Sequence, residues 1–137
     1  MICITIDTNV LISATFWNGA SAKVIEKVEK KEIILVLSEP ILEEYSEVLM
    51  SEEIQLKIKN KHLEMKQSVQ KISAIAQIII PVTQLSIVPE DPDDNKVMEC
   101  AVDGKVNYFL TKDKHLLKIK NYRGIKILTP EEFLELS

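Results

Sequence analysis

The sequence predicts an α/β fold, a three-layer α/β/α sandwich with a central parallel sheet and an additional helical arm. Short, wholly apolar segments alternate along the chain with longer segments of helical periodicity. Strands without polar alternation are typical of parallel sheets that helices cover on both faces, since right-handed crossovers place the helices outside. The 137 residues suffice for about one domain, so we predict a single domain over 1–137.

A strand and two helices are predicted at the start of the chain. Residues 2–6 form a β-branched apolar segment that stops at Asp7, which indicates a buried strand followed by a helix. Asn18 and Gly19 interrupt that helical pattern. Ser21 is the predicted cap of the next helix, because a serine hydroxyl can accept a hydrogen bond from the first helical turn.

A second strand and a long helical region follow. Residues 33–37 are all apolar, and Ser38 then opens a helix with Pro40 in its first turn, where a missing N–H costs little. The pattern is helical over 51–77, which predicts the helical arm. Residues 78–82 are compatible either with a short peripheral strand or with the end of the arm.

The last third of the chain repeats the alternation. Residues 89–94 have loop and cap composition and lead into a helix that ends at Gly104. A third strand is predicted over 107–111 and a further strand over 125–128, with a short helix between them. Pro130 begins the final helix.

Acidic residues are predicted to meet at one edge of the sheet. Asp7 and Asp113 follow the first and third predicted strands, and Glu44 and Asp94 belong to helices that begin at the same edge. Clustered carboxylates repel one another unless a cation lies between them, and hard oxygen ligands suit Mg²⁺ or Mn²⁺. A divalent cation at such an edge is suited to phosphodiester hydrolysis.

Each of these acids also has a purely structural explanation. Asp7, Asp94 and Asp113 could cap the helices that follow them, and Glu44 could be a solvated helical residue. The predicted convergence of all four favours a metal site. A helix cap or a surface acid has no reason to lie beside other acids, which would repel it.

Four short motifs occur in order over nearly the whole chain. They are Asp7-Thr-Asn-Val-Leu11, Ser38 with Glu44-Tyr-Ser-Glu-Val-Leu49, Asp91-Pro-Asp-Asp94-Asn95 leading to Glu99, and Thr111-Lys-Asp113. In this order and spacing the sequence resembles the PIN domain family, and it is most similar to the VapC-like branch of toxin components from toxin–antitoxin pairs.

The resemblance implies a PIN-like fold and a ribonuclease that depends on Mg²⁺ or Mn²⁺. The residues that it implies as metal-binding and catalytic acids are Asp7, Glu44, Asp94 and Asp113. The residues that it implies as supports, orienting carboxylates or water, are Thr8, Asn9, Ser38 and Thr111. Glu43 is the rival of Glu44, whereas Asp91 and Glu99 are candidates for additional outer carboxylates.

The charge balance limits how the chain can hold nucleic acid. A net charge of −4 excludes binding through a generally basic surface, so bound cations or a local patch are required. Lys112 and Lys114 flank Asp113 and are candidate RNA contacts. The resemblance further implies a single-stranded or structured RNA substrate, a small antitoxin protein as partner and a homodimer.

Other functions fit the sequence less well. A Mg²⁺-binding signalling receiver domain would need paired acids after the first strand and an aspartate at the end of a middle strand, where Ser38 stands. A catalytically inactive PIN-fold scaffold is disfavoured because all four acids are present. No glycine-rich phosphate loop occurs, which excludes a P-loop NTPase. The apolar segments are too short to span a bilayer and no basic leader precedes them, so we predict a cytoplasmic protein with no membrane association.

Overall fold

A mostly parallel sheet lies at the centre of the computed structural model, which describes residues 1–16, 19–51, 62–82 and 92–136 and, for 62–67 and 92–94, the backbone only. The strands of the described residues are β1 (Cys3–Ile6), β2 (Ile34–Ser38), β3 (Gln77–Ile79), β4 (Tyr108–Leu110), β5 (Asn121–Tyr122) and β6 (Ile125–Leu128). Their order in the sheet is β3-β2-β1-β4-β6-β5. The predicted strand positions are therefore confirmed, and the choice at 78–82 is decided in favour of a short edge strand.

The strand order determines which chain segments meet. β2 and β4 pair in parallel with the two sides of β1, in the registers Ile4↔Leu35 and Ile6↔Leu110. The carboxyl ends of these three neighbouring strands therefore lie at one edge of the sheet. Polar residues occupy that edge, because the apolar strands stop there and the helices begin.

Helices flank the sheet on both faces, as predicted. The helices of the described residues are α1 (Thr8–Phe16), α2 (Ala20–Glu29), α3 (Glu39–Leu49), α4 (His62–Ile75), α5 (Pro92–Asp103), α6 (Lys114–Leu117) and α7 (Pro130–Glu135). α5 packs against β1, β2 and β4, whereas α7 packs against β6 and α2. α1 packs against both α2 and α3.

The described part of the predicted arm, α4, packs against α3 and buries Ile72. Residues 52–61 of the predicted arm lie outside the described residues. None of the helices in the described ranges has both the length and the apolar character that crossing a membrane requires.

The core is built mainly from the three central strands and the helices packed on them. Ile4, Leu35 and Phe109, one from each central strand, are fully buried. Tyr45 of α3 is also fully buried, and its hydroxyl lies 2.5 Å from Oγ1 of Thr15 in α1. This hydrogen bond satisfies the one polar atom of a large buried side chain and connects the two helices.

The strand β5 was not predicted from the sequence. It pairs antiparallel with β6, so the sheet is mixed at this edge rather than wholly parallel. The hairpin turn uses Arg123 and Gly124, both with positive φ, the backbone conformation that two-residue hairpin turns require. β5 has only two residues, and that is too short for a hydrophobic pattern to reveal.

Ser21 is not the cap of α2. Gly19 occupies the N-cap position with an extended backbone and, having no side chain, makes no side-chain cap hydrogen bond. Ser21 instead lies inside the first turn, is buried, and its hydroxyl has no hydrogen-bond partner. The prediction failed because serine at a cap and serine in the first turn look the same in a sequence.

Candidate active site

Asp7 is placed at the sheet edge by β1 and held there by two hydrogen bonds. Its Oδ1 accepts from the N–H of Val10 at 2.9 Å, so the carboxylate caps α1. Its Oδ2 accepts from the hydroxyl of Thr111, the residue that follows β4. Only 8% of Asp7 is exposed. The carboxylate is therefore fixed in position before any ligand binds.

Thr111 also connects Asp7 to the second acid of the edge. The N–H of Asp113 donates to Oγ1 of Thr111 at 3.0 Å, and Oδ1 of Asp113 accepts from the N–H of His115 at 2.8 Å. Asp113 thereby caps the short helix α6. Asp7 and Asp113, which are distant in sequence, thus meet through one fully buried hydroxyl group.

The environment raises the pKa of Asp7 above its ordinary value of 3.8. Burial is the largest cause, because desolvation disfavours the charged form, and the negative charge of Asp113 adds to it. The hydrogen bonds from Thr111 and Val10 and the positive charge of Lys112 act in the opposite direction. A buried carboxylate with an acidic neighbour is an electrostatic environment in which a cation would be favoured.

α3 carries the third predicted acid. The hydroxyl of Ser38 accepts a hydrogen bond from the N–H of Ile41 at 3.3 Å, which caps the helix as predicted. Glu44 is half-buried, whereas the neighbouring Glu43 is exposed. One residue turns a helical side chain by about 100°, so the two glutamates face different surroundings. This difference favours Glu44 over its rival as a candidate ligand.

α5 carries the fourth predicted acid. Asp94 lies in the first turn of α5, the helix that packs on β1 and β2, but its side chain is outside the described atoms. Asp91 falls outside the described residues. Glu99, farther along α5, is half-buried. Asn95 is a buried polar residue that the sequence analysis did not select, although it completes the Asp91–Asn95 motif.

The remaining predicted supports occupy different environments. Thr8 directly follows Asp7, is buried, and its hydroxyl has no hydrogen-bond partner. Asn9 is exposed on the first turn of α1. Lys112 and Lys114 are both exposed beside Asp113.

The chemistry of these residues fits a hard divalent cation. Carboxylate and hydroxyl oxygens are its preferred ligands, and the unpartnered hydroxyl of Thr8 next to Asp7 leaves a polar atom for a ligand or water to satisfy. Within the described side chains, which exclude that of Asp94, no three acidic, histidine or cysteine residues form a group that could hold a metal ion. Asp7, Glu44 and Asp113 therefore do not form such a group by themselves.

Comparison with known proteins assigns the chain to a family. The PIN domain family model matches residues 4–115, most of the chain, and the four predicted acids fall within this span. The chain belongs to the PIN domain family. PIN domains are typically nucleases, and those nucleases generally use divalent metals. This family assignment replaces the alternative of a signalling receiver domain.

The PIN fold is also found by comparison with solved structures. The crystal structure of PAE2754 from Pyrobaculum aerophilum superposes with a TM-score of 0.65. The alignment covers 98% of this chain and 89% of that chain at 13% sequence identity, so the likeness concerns the fold. No curated protein matches this PIN domain significantly.

Proposed function

We propose that this PIN domain is a ribonuclease that hydrolyses RNA phosphodiester bonds with Mg²⁺ or Mn²⁺, held by Asp7, Glu44, Asp94 and Asp113. The observation that carries the proposal is the Asp7–Thr111–Asp113 unit at the sheet edge, where a buried carboxylate with a raised pKa lies beside a second acid. A bound divalent cation would supply Lewis-acid polarisation of a phosphate and would acidify coordinated water.

The chain's own residues prepare the site for that chemistry. The hydrogen bonds from Thr111 and Val10 hold the Asp7 carboxylate in one orientation. Such preorganisation avoids the cost of arranging the ligands during the reaction. Lys112 supplies positive charge near Asp7 and is available to attract a phosphate, and Lys114 flanks Asp113 on the other side.

The proposal extends to biological context. A role as the toxin component of a toxin–antitoxin pair, a small antitoxin partner, homodimer formation and a cytoplasmic location rest on the sequence resemblance to the VapC-like branch. An inactive scaffold of the same fold would bind partners without cleaving RNA, so the activity test below separates the two functions.

The test is RNA cleavage by the purified protein with Mn²⁺ or Mg²⁺. We expect cleavage of single-stranded RNA with the wild type, inhibition by EDTA, and a loss of more than about 100-fold for Asp7→Asn and Glu44→Gln. Glu43→Gln is the matched control, because Glu43 is adjacent to Glu44 but exposed, and it should retain activity. Equal activity of wild type and Asp7→Asn, or equal losses at Glu43 and Glu44, would contradict the ligand assignment.

A further inference from the structure

An open cleft of about 260 Å³, the amino-edge cleft, lies between the end of α5 and the hairpin turn that joins β5 to β6. The described residues that line it are Val102, Lys105, Val106, Arg123, Gly124 and Ile125. These segments lead into β4 and β6, whereas Asp7 and Asp113 come after β1 and β4. Because β1, β4 and β6 are parallel, the cleft and the candidate acids lie at opposite edges of the sheet.

The two charged residues of this cleft are both cations. Lys105 and Arg123 are exposed, and neither forms an ion pair with another described residue. No acid is among the described residues that line the cleft. The carboxylate of Asp103, which lies close to Lys105 in the sequence, accepts a hydrogen bond from the N–H of Val82 at 2.7 Å. In a protein with a net charge of −4, the cleft is therefore a local concentration of positive charge that suits an anionic ligand.

Arg123, the only arginine of the sequence, is placed so that it can bind a carboxylate. Cζ of its guanidinium lies 5.3 Å from the centre of the Tyr122 ring. A guanidinium over an aromatic ring keeps its N–H edge available, and that edge can donate two parallel hydrogen bonds to a carboxylate. The backbone N–H groups of Arg123 and Gly124 make no hydrogen bond to any described residue, so the same turn offers further donors.

The floor of the amino-edge cleft is aliphatic. Val106 and Ile125 are buried, and Val102 is half-buried. An aliphatic surface between two cations matches a ligand that carries carboxylates on either side of an apolar side chain. Nucleic-acid bases stack on aromatic side chains, and none of the described residues that line the cleft is aromatic. The lining therefore favours an acidic peptide over an RNA strand.

The backbone at the two cations allows clean substitutions. The angle φ is 52° at Lys105 and 50° at Arg123, a left-handed conformation that costs a residue other than glycine about 1–2 kcal/mol. Lys31 and Lys120 have the same conformation outside the cleft, so the conformation by itself does not indicate a ligand. Asparagine tolerates it better than lysine or arginine does, so asparagine can remove either charge without adding backbone strain.

We propose that the amino-edge cleft is a docking site for an acidic peptide segment of a partner protein. An aliphatic side chain of the segment packs on Val102, Val106 and Ile125. Carboxylates of the segment bind Arg123 and Lys105. This inference goes beyond the proposed ribonuclease function and does not depend on it, since a partner at this edge leaves the acidic edge open.

Binding is measured with a defined probe, a short fluorescein-labelled peptide in which glutamate and leucine alternate. Fluorescence anisotropy reports its affinity, and the amide chemical shifts of Val106 and Gly124 report where it binds. We expect both amides to shift and the affinity to fall as salt is added. The same peptide with glutamine in place of glutamate should bind at least about tenfold more weakly, because it lacks the carboxylates.

Arg123→Asn and Lys105→Asn test the two cations. Each should weaken binding of the acidic peptide about 3- to 10-fold, and neither should lower Tm, because asparagine suits a positive φ. Lys31→Asn is the matched control, since Lys31 is an exposed lysine with a φ of 62° that does not line the cleft. It removes the same charge from the same backbone conformation and should leave the affinity unchanged. An equal loss in Lys31→Asn would mean that net charge alone binds the peptide, which refutes the cleft.

The remaining outcomes separate the docking site from other functions of the same surface. Unchanged amide shifts, or equal affinity for the glutamate and glutamine peptides, would refute the docking site. A labelled single-stranded RNA that shifts the Val106 and Gly124 amides at lower concentrations than the peptide does would overturn it in favour of a nucleic-acid surface. RNA cleavage should be the same in Arg123→Asn and wild type, because the cleft lies away from the acidic edge. Lost cleavage with unchanged peptide binding would instead assign Arg123 to the nuclease and refute the docking site.

Discussion

At the scale of single residues, the Asp7 carboxylate accepts two hydrogen bonds at the end of β1. One carboxylate oxygen caps α1 through the N–H of Val10, and the other accepts from Thr111. Helix caps tolerate Asp and Asn about equally well, so capping does not require the charge. The charge is instead unfavourable in the metal-free protein, because burial and Asp113 raise the pKa of Asp7.

The pH dependence of an Asp7→Asn variant follows from that raised pKa. A carboxyl group with a higher pKa in the folded state stabilises folding only where it is protonated, and that contribution is lost as pH rises above 3.8 and through the folded-state pKa. We therefore expect the metal-free variant to have a greater free energy of unfolding than wild type at pH 7. The difference should shrink as the pH falls below about 4.

Urea denaturation at the two pH values measures this difference. Glu135→Gln serves as the control, because Glu135 is an exposed residue of α7 whose charge should matter little at either pH. If Asp7→Asn is less stable than wild type by the same amount at pH 7 and at pH 4, the charge of Asp7 does not destabilise the fold.

At the scale of secondary-structure elements, the end of α5 shows how close packing limits residue choice. The sequence predicts a helix end at Gly104, which the structure confirms, but the positive φ belongs to Lys105 rather than to the glycine. A Cβ at Gly104 would lie 2.7 Å from Cγ1 of Val36 in β2 and 2.9 Å from the carbonyl oxygen of Cys100. Glycine is required because the chain passes close to a strand and to its own helix.

Gly104→Ala should therefore destabilise the protein by about 1–3 kcal/mol, the usual range for overpacking. The backbone carbonyl of Cys100 cannot move aside as a flexible side chain could. Gly19→Ala is the comparison, since a Cβ there meets nothing within 4 Å, and it should cost no more than about 1 kcal/mol, because alanine is a poorer N-cap than glycine. Urea denaturation of both variants gives the comparison, and similar effects at the two glycines would refute the packing argument.

At the scale of the whole molecule, the parallel order of β2, β1 and β4 places the ends of these strands at one edge, and Asp7 and Asp113 lie near each other there. The helices after β1, β2 and β4 also begin at this edge. The protein carries a net charge of −4, so the repulsion between Asp113 and Asp7 adds to an overall repulsion. If the proposed site binds a divalent cation, the cation relieves that repulsion, and stability then depends on metal.

Mn²⁺ should raise the Tm of the wild type in a concentration-dependent manner. A ligand at about 100 times its Kd stabilises the folded state by about 2.7 kcal/mol, which corresponds to a shift of several degrees for a chain of this size. The measurement is thermal unfolding with Mn²⁺ and again after EDTA. An equal shift in Asp7→Asn would place the metal elsewhere on the protein.

Much of the fold was predictable because it depends on local patterns. Constraints within a few residues predicted the apolar strands over 2–6, 33–37 and 107–111. They also predicted the start of α3, with its cap at Ser38 and Pro40 in the first turn. The hairpin at Arg123 and the cap of α2 were missed. A two-residue strand carries no periodicity, and the choice between Gly19 and Ser21 as cap depends on how α2 packs.

The sequence by itself determined the α/β class, the order of the strands and helices along the chain, and the identity of the four candidate acids. Only the tertiary structure decided that Thr111 joins Asp7 to Asp113, that Glu44 is more buried than Glu43, and that the Ser21 hydroxyl is buried without a partner. The physical reason is that periodicity and capping act between neighbours in the chain. Burial, desolvation and hydrogen bonds between distant residues exist only after the sheet has assembled.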